Sequence, residues 1–415
     1  MIGAEWIRVR LPPAWRVARI RDTTEIINGF PFDSKTFSDG IGHPLVRIRD
    51  IFLDDTNVYV DAPEVPDATI DTGDILVGMD GDFNVARWRG GRAQLNQRVC
   101  CIRPHKEIDT RFLSYLLPVP LKLINEFTYS TTVKHLSSFD IQKVHFPCPD
   151  FETQRQIADF LDLTTGEIDT LIEAKMKLLG LLAEKRQTLV AEAVMRGLNR
   201  SAPLRPSGID WLGDIPAHWE VRRSKWLFEE RDVRSTTGEE TLYSLRMERG
   251  LVPHNDVSEK KTLPEELVGY KIARQGELVV NRMRAATGLI AIAPEYGLVS
   301  PDYAVFVPST DIECDYYVEL FKTTLLQAVF RSESTGLGTG SQGFLRLYSQ
   351  NFLALWFPYP PIEEQRQILE HLNVERAKID KLATATERSI ALLKERRSAL
   401  IAAAVTGQIE IPEAA

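Results

Sequence analysis

The stretch Glu152–Val194, ETQRQIADFLDLTTGEIDTLIEAKMKLLGLLAEKRQTLVAEAV, returns at Glu363–Val405 as EEQRQILEHLNVERAKIDKLATATERSIALLKERRSALIAAAV. Aligned without a gap, the two copies share roughly two residues in five, too many for two amphipathic segments that merely use similar residue types. The chain is an internal duplication. Each copy, taken from Pro149 to Gly197 and from Pro360 to Gly407, predicts a short helix followed by a long one. Asp150 or Pro361 favours a first turn, and Gly197 or Gly407 stands where a left-handed stop belongs. Gln154, Ile157, Gln365 and Ile368 open the copies. Ile168, Leu171, Leu178, Leu182 and Leu189 then mark one helix face, and Ile379, Leu382, Leu393 and Leu400 mark its repeat. Lys175, Lys185, Thr386, Ser389 and Arg396 interrupt the seam. A helix of about 30 residues is roughly 45 Å long, and its stripe must be covered. The expectation is an antiparallel coiled coil of the two helices; the plainer alternative packs each helix on its own globular domain.

The segments before the helices are duplicated too. Leu11-Pro12-Pro13-Ala14-Trp15 returns as Ile215-Pro216-Ala217-His218-Trp219, and Asp71–Val77 is answered by Arg274–Val280. Short β-branched or alternating runs predict strands at Pro44–Ile51, Asp74–Met79, Leu95–Ile102 and Val144–Pro147. In the second half they fall at Glu240–Met247, Glu277–Met283, Leu289–Ala293, Tyr303–Val307 and Leu353–Pro358. One helix closes each unit, Asp109–Phe127 and Asp315–Arg331. The fold class is α+β: two tandem α+β domains, each followed by a helical segment, with pseudo-two-fold symmetry. The boundaries are a first domain at 1–148, helices at 149–198 and a Pro-containing linker at 199–210. A second domain at 211–359, helices at 360–408 and a tail at 409–415 complete the chain.

With 44% hydrophobic and 26% charged residues in 415, the composition is that of a soluble protein of two or three domains. The N-terminus is charged where a signal peptide would be apolar, and no run reaches the roughly 18 apolar residues that span a bilayer. A cytoplasmic chain without membrane contact is expected. Cys100, Cys101, Cys148 and Cys314 form no CxxC pair and read as core thiols. The net charge of -8 excludes a uniformly basic polyanion binder, but not one with local cationic patches.

Catalytic patterns fail on context. Gly338–Gly343 satisfies GxGxxG but follows a predicted helix, outside any βαβ unit. Pro149-Asp150 with Glu173-Ala174-Lys175 mimics a nuclease pattern, but its second part falls in the helix seam. Tyr359-Pro360-Pro361-Ile362 resembles the Asn-Pro-Pro-Tyr motif of amino methyltransferases, but has Tyr for its Asn. Asp74, Asp80 and Asp82 could crowd a metal, though acids among glycines are commonly turn residues. No catalytic or metal residue is assigned. Nucleic-acid chemistry is better represented. Gly78–Arg92 places Arg87, Arg89 and Arg92 with the rings Phe83 and Trp88 on a glycine-rich segment, and Asn281, Arg282 and Arg284 follow the corresponding second-half strand. Arginine holds phosphates or pairs two-pronged with guanine, and asparagine suits adenine. The DNA-binding candidates are Arg47, Arg49, Arg87, Trp88, Arg89, Arg92, Asn96, Gln97, Lys134, Arg246, Asn281, Arg282, Arg284, Thr339, Ser341 and Gln342. Against this, each arginine could be solvated or paired with the many acids nearby.

Taken together, the chain resembles the specificity subunit of a Type I restriction-modification system. The resemblance rests on Phe146-Pro147-Cys148-Pro149 before Gln154-Arg155-Gln156-Ile157, and Phe357-Pro358-Tyr359-Pro360-Pro361 before Gln365-Arg366-Gln367-Ile368. Each leads to Ile168-Asp169 or Ile379-Asp380, then to Glu184-Lys185-Arg186 or Glu395-Arg396-Arg397. The Pro-x-x-Trp openings and Pro44–Ile51 also fit. It implies two target-recognition domains that read a bipartite double-stranded DNA site, with the paired helices as spacer and as docking site for two modification subunits. Those partners, not this chain, would bind S-adenosylmethionine and methylate adenine, and restriction subunits would complete the nuclease. Two other classes stay open on sequence alone: a self-contained DNA-acting enzyme, either nuclease or methyltransferase, and a helical adaptor without DNA readout.

Overall fold

The structure is a computed structural model, which describes residues 6–7, 10–127, 134–259, 262–337 and 344–411. The chain forms two compact units, Met1–Met176 with Glu387–Ala415, and Lys177–Thr386. Their limits fall inside the two longest helices, Phe151–Arg196 and Ile362–Val405, of 46 and 44 residues. Each is a single helix where the sequence predicts a short one followed by a long one. No proline interrupts either run. Gly166 and Gly180 have open space where a Cβ would stand, so they weaken the first helix by about 1 kcal/mol each relative to alanine without breaking it.

Each unit buries the start of one long helix with the end of the other, so the helices pair antiparallel. In unit 1 the core takes Ile157, Ala158 and Leu161 together with Ile401, Ala404 and Val405. In unit 2 it takes Ile368 and Leu372 together with Val190, Ala193 and Val194. The buried seam steps by three and four residues through Leu161, Thr165, Ile168 and Ile172, the spacing that keeps a partner helix in view. Leu182 and Ile379 are buried as expected, and Leu189, Leu393 and Leu400 are half-buried. Leu171, Leu178 and Leu382, however, are 46%, 36% and 47% exposed. A three-residue step into Ile168 must be followed by a four-residue one, which selects Ile172 and turns Leu171 outward. Thr386, expected to interrupt the stripe, lies within it. Its Oγ1 donates to the Leu382 carbonyl at 2.8 Å, as Thr165 does to Leu161 at 2.6 Å, so neither buried hydroxyl lacks an acceptor.

The register is marked by ion pairs that mirror one another. In unit 1 Arg397 donates twice to Asp169, at 2.9 and 3.1 Å. In unit 2 Arg186 donates to Asp380 at 3.0 Å. Setting Glu152 on Glu363 makes the two aspartates equivalent and the two arginines equivalent. Each copy therefore gives its Asp to the other's Arg, the reciprocity of a self-complementary interface. All four side chains are more than a third exposed, so each pair contributes about 0.2–1 kcal/mol and serves alignment more than stability.

Gln154 and Gln365, expected on a docking or coil surface, are buried clasps. Gln154 Oε1 accepts from the Asp109 amide at 2.8 Å, while its Nε2 donates to the Pro149 carbonyl at 3.0 Å. Gln365 repeats this with Glu313 at 2.8 Å and Pro360 at 2.9 Å. Asp109 and Glu313 are the N-cap residues of the helices that close the two sheet units, so each glutamine ties a long helix to its own domain.

The units share one sheet plan. In unit 1, β1 (Thr24–Asn28), β2 (Ile75–Gly78), β3 (Val85–Arg87) and β4 (Val99–Pro104) lie in the order β1-β4-β2-β3. In unit 2, β5 (Phe228–Glu230), β6 (Leu278–Asn281), β7 (Ile290–Ile292) and β8 (Tyr303–Pro308) lie as β5-β8-β6-β7. All pairings in both sheets are antiparallel. The predicted closing helices each divide in two, α1 (Thr110–Leu116) and α2 (Pro118–Phe127), then α3 (Cys314–Phe321) and α4 (Thr324–Ser332). Pro118 lacks the amide needed to continue α1, and the Thr323 hydroxyl caps a new helix by accepting from Leu326 at 3.3 Å. The units differ beyond the sheet. Unit 1 adds a five-stranded sheet around His43–Val46 and Ala93–Leu95, whereas unit 2 has two-stranded pieces there among the described residues.

The repeated Pro-x-x-Trp motif has a local cause. The Trp15 and Trp219 amides close turns onto Pro12 and Pro216, both at 2.9 Å. Each ring then packs where a long helix ends: a Cβ on Gly407 would come 3.2 Å from Trp15, and one on Gly197 3.2 Å from Trp219. Both glycines have positive φ, 68° and 72°, so the left-handed stop and the close approach coincide. The stretch read as a linker is partly ordered, since Leu204–Pro206 pairs with Asp214–Pro216 as a hairpin. Cys100, Cys101 and Cys148 are buried, and burial pushes the Cys100 thiol up to about 12.

Candidate nucleic-acid interface

The backbone builds the same junction in each unit, at the end of the second sheet strand. In unit 1 Gly78 closes β2 opposite Val99; the Met79 amide then bonds Arg98 at 2.9 Å, and Leu136 donates to Met79 at 2.7 Å. In unit 2 Asn281 closes β6 opposite Tyr303, and Leu347 donates to Arg282 at 2.9 Å. Three segments thus meet in the same way, and the side chains they present differ.

In unit 1 the junction is internally neutralised. Asp80 is flanked by Arg98, which donates to it, and by His135, whose Nδ1 lies 2.8 Å from Asp80 Oδ1. Burial alone would raise the Asp80 carboxyl, but His135 and Arg98 outweigh it and hold the group below the usual carboxylate range. Most of the cations expected to meet DNA are also engaged. Arg47 clasps Asp50 two-pronged, at 2.7 and 3.2 Å, which ends the strand predicted to reach Ile51 at Val46. Arg92 donates to Glu64 at 3.0 Å, and Lys134 donates to the Asn125 carbonyl at 2.6 Å. Arg87 and Arg89 lie 3.8 Å from Asp162 and 3.6 Å from Asp54. Both line a groove of about 630 Å³ in unit 1, with Tyr115, Lys122 and Arg397. Arg49 and Gln97 are exposed and Asn96 is half-buried; among the described residues their side chains make no hydrogen bond or ion pair.

Trp88 is corrected outright. It is 1% exposed, its Nε1 donates to the Gly91 carbonyl at 2.7 Å, and it fills a core with Ile70, Leu76 and Leu95. Phe83, the other ring on that segment, is 2% exposed and holds a φ of 52°. Both rings plug the core, because a loop this rich in glycine supplies little else apolar to bury. Asp74, weighed as a metal ligand, accepts from Arg103 at 3.0 Å. Among the described residues no group of three or more His, Cys, Asp and Glu side chains is placed to hold a metal ion.

Unit 2 gathers its candidates more tightly. Arg246 ends the strand Tyr243–Arg246, and Arg284 follows β6; both are exposed, without an ion pair among the described residues. They act on a common neighbour that the sequence did not single out, Tyr303. Burial pushes the Tyr303 phenol up, while a hydrogen bond with Asn281 and the charges of Arg246 and Arg284 pull it back. Met247 and Met283, 49% and 36% exposed, stand next to these arginines in sequence. The surface therefore offers amide, phenol, two guanidiniums and soft apolar tips, a set that can read base edges and the thymine methyl. The signal for Tyr303 was its place as the first residue of β8, across the ladder from Asn281. Arg282 points elsewhere, its Nε donating to the Asp302 carbonyl at 2.7 Å. Thr339, Ser341 and Gln342 lie outside the described residues, as do Gly338–Gly343 and residues 128–133.

The chain is similar to known proteins. Residues 12–178 match the family described as Type I restriction modification DNA specificity domain. The chain is 36% identical over 192 residues to the Type I restriction enzyme EcoBI specificity subunit of Escherichia coli, a match covering 45% of this chain and 40% of that one. It is 23% identical to the Type I restriction enzyme MjaVIII specificity subunit of Methanocaldococcus jannaschii, over 97% of this chain and 95% of that one. Among solved structures, a chain from a study of type I R-M complex assembly and conformational transition superposes with a TM-score of 0.69 at 18% identity, covering 97% of this chain and all of that one. The HsdS subunit from Thermoanaerobacter tengcongensis follows with a TM-score of 0.53 at 18% identity, covering 97% and 99%. These two likenesses concern the fold. Among the described residues no helix is long and apolar enough to cross a membrane. Residues 12–178 thus match the Type I restriction modification DNA specificity domain, and nearly the whole chain is similar to a Type I restriction enzyme specificity subunit.

Proposed function

We propose that this chain selects the DNA sequence on which its complex acts, reading a bipartite duplex target with the domain 1–148 on one half-site and 211–359 on the other. The observation that carries this reading is the repeated junction: one backbone arrangement presents Gly78, Met79 and Asp80 in one unit and Asn281, Arg282 and Met283 in the other. One scaffold that carries unlike side chains in its two copies suits two readers of different sequences. In unit 2 Arg246, Asn281 and Arg284 carry the base contacts, with Tyr303 orienting Asn281. In unit 1 Arg49, Asn96 and Gln97 are the side chains left available.

The helical segments 149–198 and 360–408 hold two modification subunits, and restriction subunits join the full complex. Leu171 in unit 1, and Leu178, Leu181 and Leu382 in unit 2, are apolar residues left outside the seam, as a docking face requires. S-adenosylmethionine and the methyl transfer to adenine belong to those partners; this chain contributes recognition, within the cytoplasm. The test is methylation mapping of DNA from cells carrying the modification subunit with and without this chain. Adenine methylation at one split motif, lost when this chain is absent, is the expected result. Methylation that persists unchanged contradicts the reading.

A further inference from the structure

Two arginines of unit 2 converge on Asp302, Arg282 at its carbonyl and Arg346 at its carboxylate. Arg282 spends its Nε on the Asp302 carbonyl at 2.7 Å and an Nη2 on the Pro301 carbonyl at 3.4 Å, so its contacts are neutral ones. Arg346 reaches the Asp302 side chain with Nη2 at 3.4 Å, and its buried Nε has no partner among the described residues. The nearby acids are committed elsewhere. Lys271, 2% exposed, lies 3.9 Å from Glu230 and 3.6 Å from Asp232. Asp232 also pairs with Arg234 at 3.0 Å, and Glu230 accepts from Ser349 at 2.6 Å. Four cations, Arg234, Lys271, Arg282 and Arg346, thus face three carboxylates, Glu230, Asp232 and Asp302, leaving one positive charge over. Burial, and then the charge of Arg346, hold Arg282 below its ordinary value, and an arriving anion would offset the repulsion between the two arginines.

We propose that Arg282 and Arg346 together hold one backbone phosphate of the DNA duplex, giving unit 2 a grip that unit 1 lacks at the equivalent junction. Guanidinium forks match a phosphate two-pronged, and neither Arg282 nor Arg346 spends its whole fork on the contacts above. In unit 1 the corresponding corners are Met79, Arg98 and His135, and Asp80 already supplies the anion. Arg282 is therefore a positioning contact shared by all sequences, and its neighbours Asn281 and Arg284 do the reading.

This rests on the DNA-reading function above, and the test separates the two. The full chain, assembled with its modification subunits, is titrated with a duplex carrying the mapped split target and with an unrelated duplex, across a range of potassium chloride concentrations. Arg346→Gln is expected to weaken both duplexes severalfold and alike, and to lower the salt slope by about 0.9, the value of one phosphate contact. Asp302→Asn, which removes the competing carboxylate, is expected to tighten both without changing their ratio, and it decides the matter if Arg346→Gln disturbs folding. A changed base preference at one half-site with the slope intact makes these base readers and overturns the proposal. So does an unchanged slope and affinity in both variants. A wild-type complex that fails to prefer the split target defeats the functional reading itself.

Discussion

The long-helix pair and the strand junction are both products of the same duplication, and they have kept different things. In the helix pair the side chains are retained: Asp169 meets Arg397 as Asp380 meets Arg186, and Gln154 caps its domain as Gln365 does. In the junction the backbone is retained and the charges have changed places. Unit 1 sets its acid, Asp80, just past the second strand between Arg98 and His135; unit 2 sets its acid, Asp302, before β8 and arginines on the other two segments. A residue in the helix pair must fit the opposite copy, so a change on one side leaves a partner unmatched. A residue at the junction answers to whatever binds there, and each unit answers separately.

The largest effect that would break this contrast lies in the ring placed among the DNA candidates. Trp88→Ala should destabilise unit 1 by about 3–5 kcal/mol, read as an earlier thermal transition, because it empties a core. Loss of DNA affinity with an unchanged transition would return Trp88 to the interface. Next, the two helix faces can be told apart. Ile172→Ala should cost about 2–5 kcal/mol in urea unfolding, while Leu171→Ala should stay within about 0.5 kcal/mol and instead weaken capture of the modification subunit. Equal costs would mean that the seam has been misplaced.

Gln154→Ala and Gln365→Ala sharpen the comparison directly. Each strips a buried amide of its acceptor and should cost about 1–3 kcal/mol, equally in the two units. A marked inequality would show that the clasps have diverged as the junction has. The smallest effect is that of the mirrored ion pairs. Asp169→Ala and Asp380→Ala should each cost about 0.2–1 kcal/mol, fading as salt is added, because these side chains are well exposed.

What could be read in advance follows the same division. The duplication, the strands β2, β4, β6, β7 and β8 and the antiparallel helices were legible, because repeated motifs and periodicity record burial, whereas β1, β3 and β5, of three to five residues with mixed composition, were not predicted. The seam was legible only in part: leucine marks an apolar face, but the alternation of three and four that separates Ile172 from Leu171 depends on the partner helix. Gln154 stood out by its motif but not by its role as a clasp, since its partners, the Asp109 amide that donates to it and the Glu107 carbonyl that accepts from it, lie about 45 positions away in sequence. The DNA candidates were the least legible. Arg47 and Arg49 have the same chemistry two positions apart, and only the fold shows that Asp50 occupies the first. Tyr303 carried no signal until β6 and β8 were paired.

The most direct measurement is methylation mapping with Asn281→Ala and, separately, Arg284→Ala in the full chain. Two readers working on one conserved scaffold should give methylation in which a single half of the split motif is relaxed, at a cost of about 1–3 kcal/mol per lost base contact, while the other half and the spacer stay as they were. Relaxation of both halves together, or a motif untouched by either change, would contradict the division of reading between the two units.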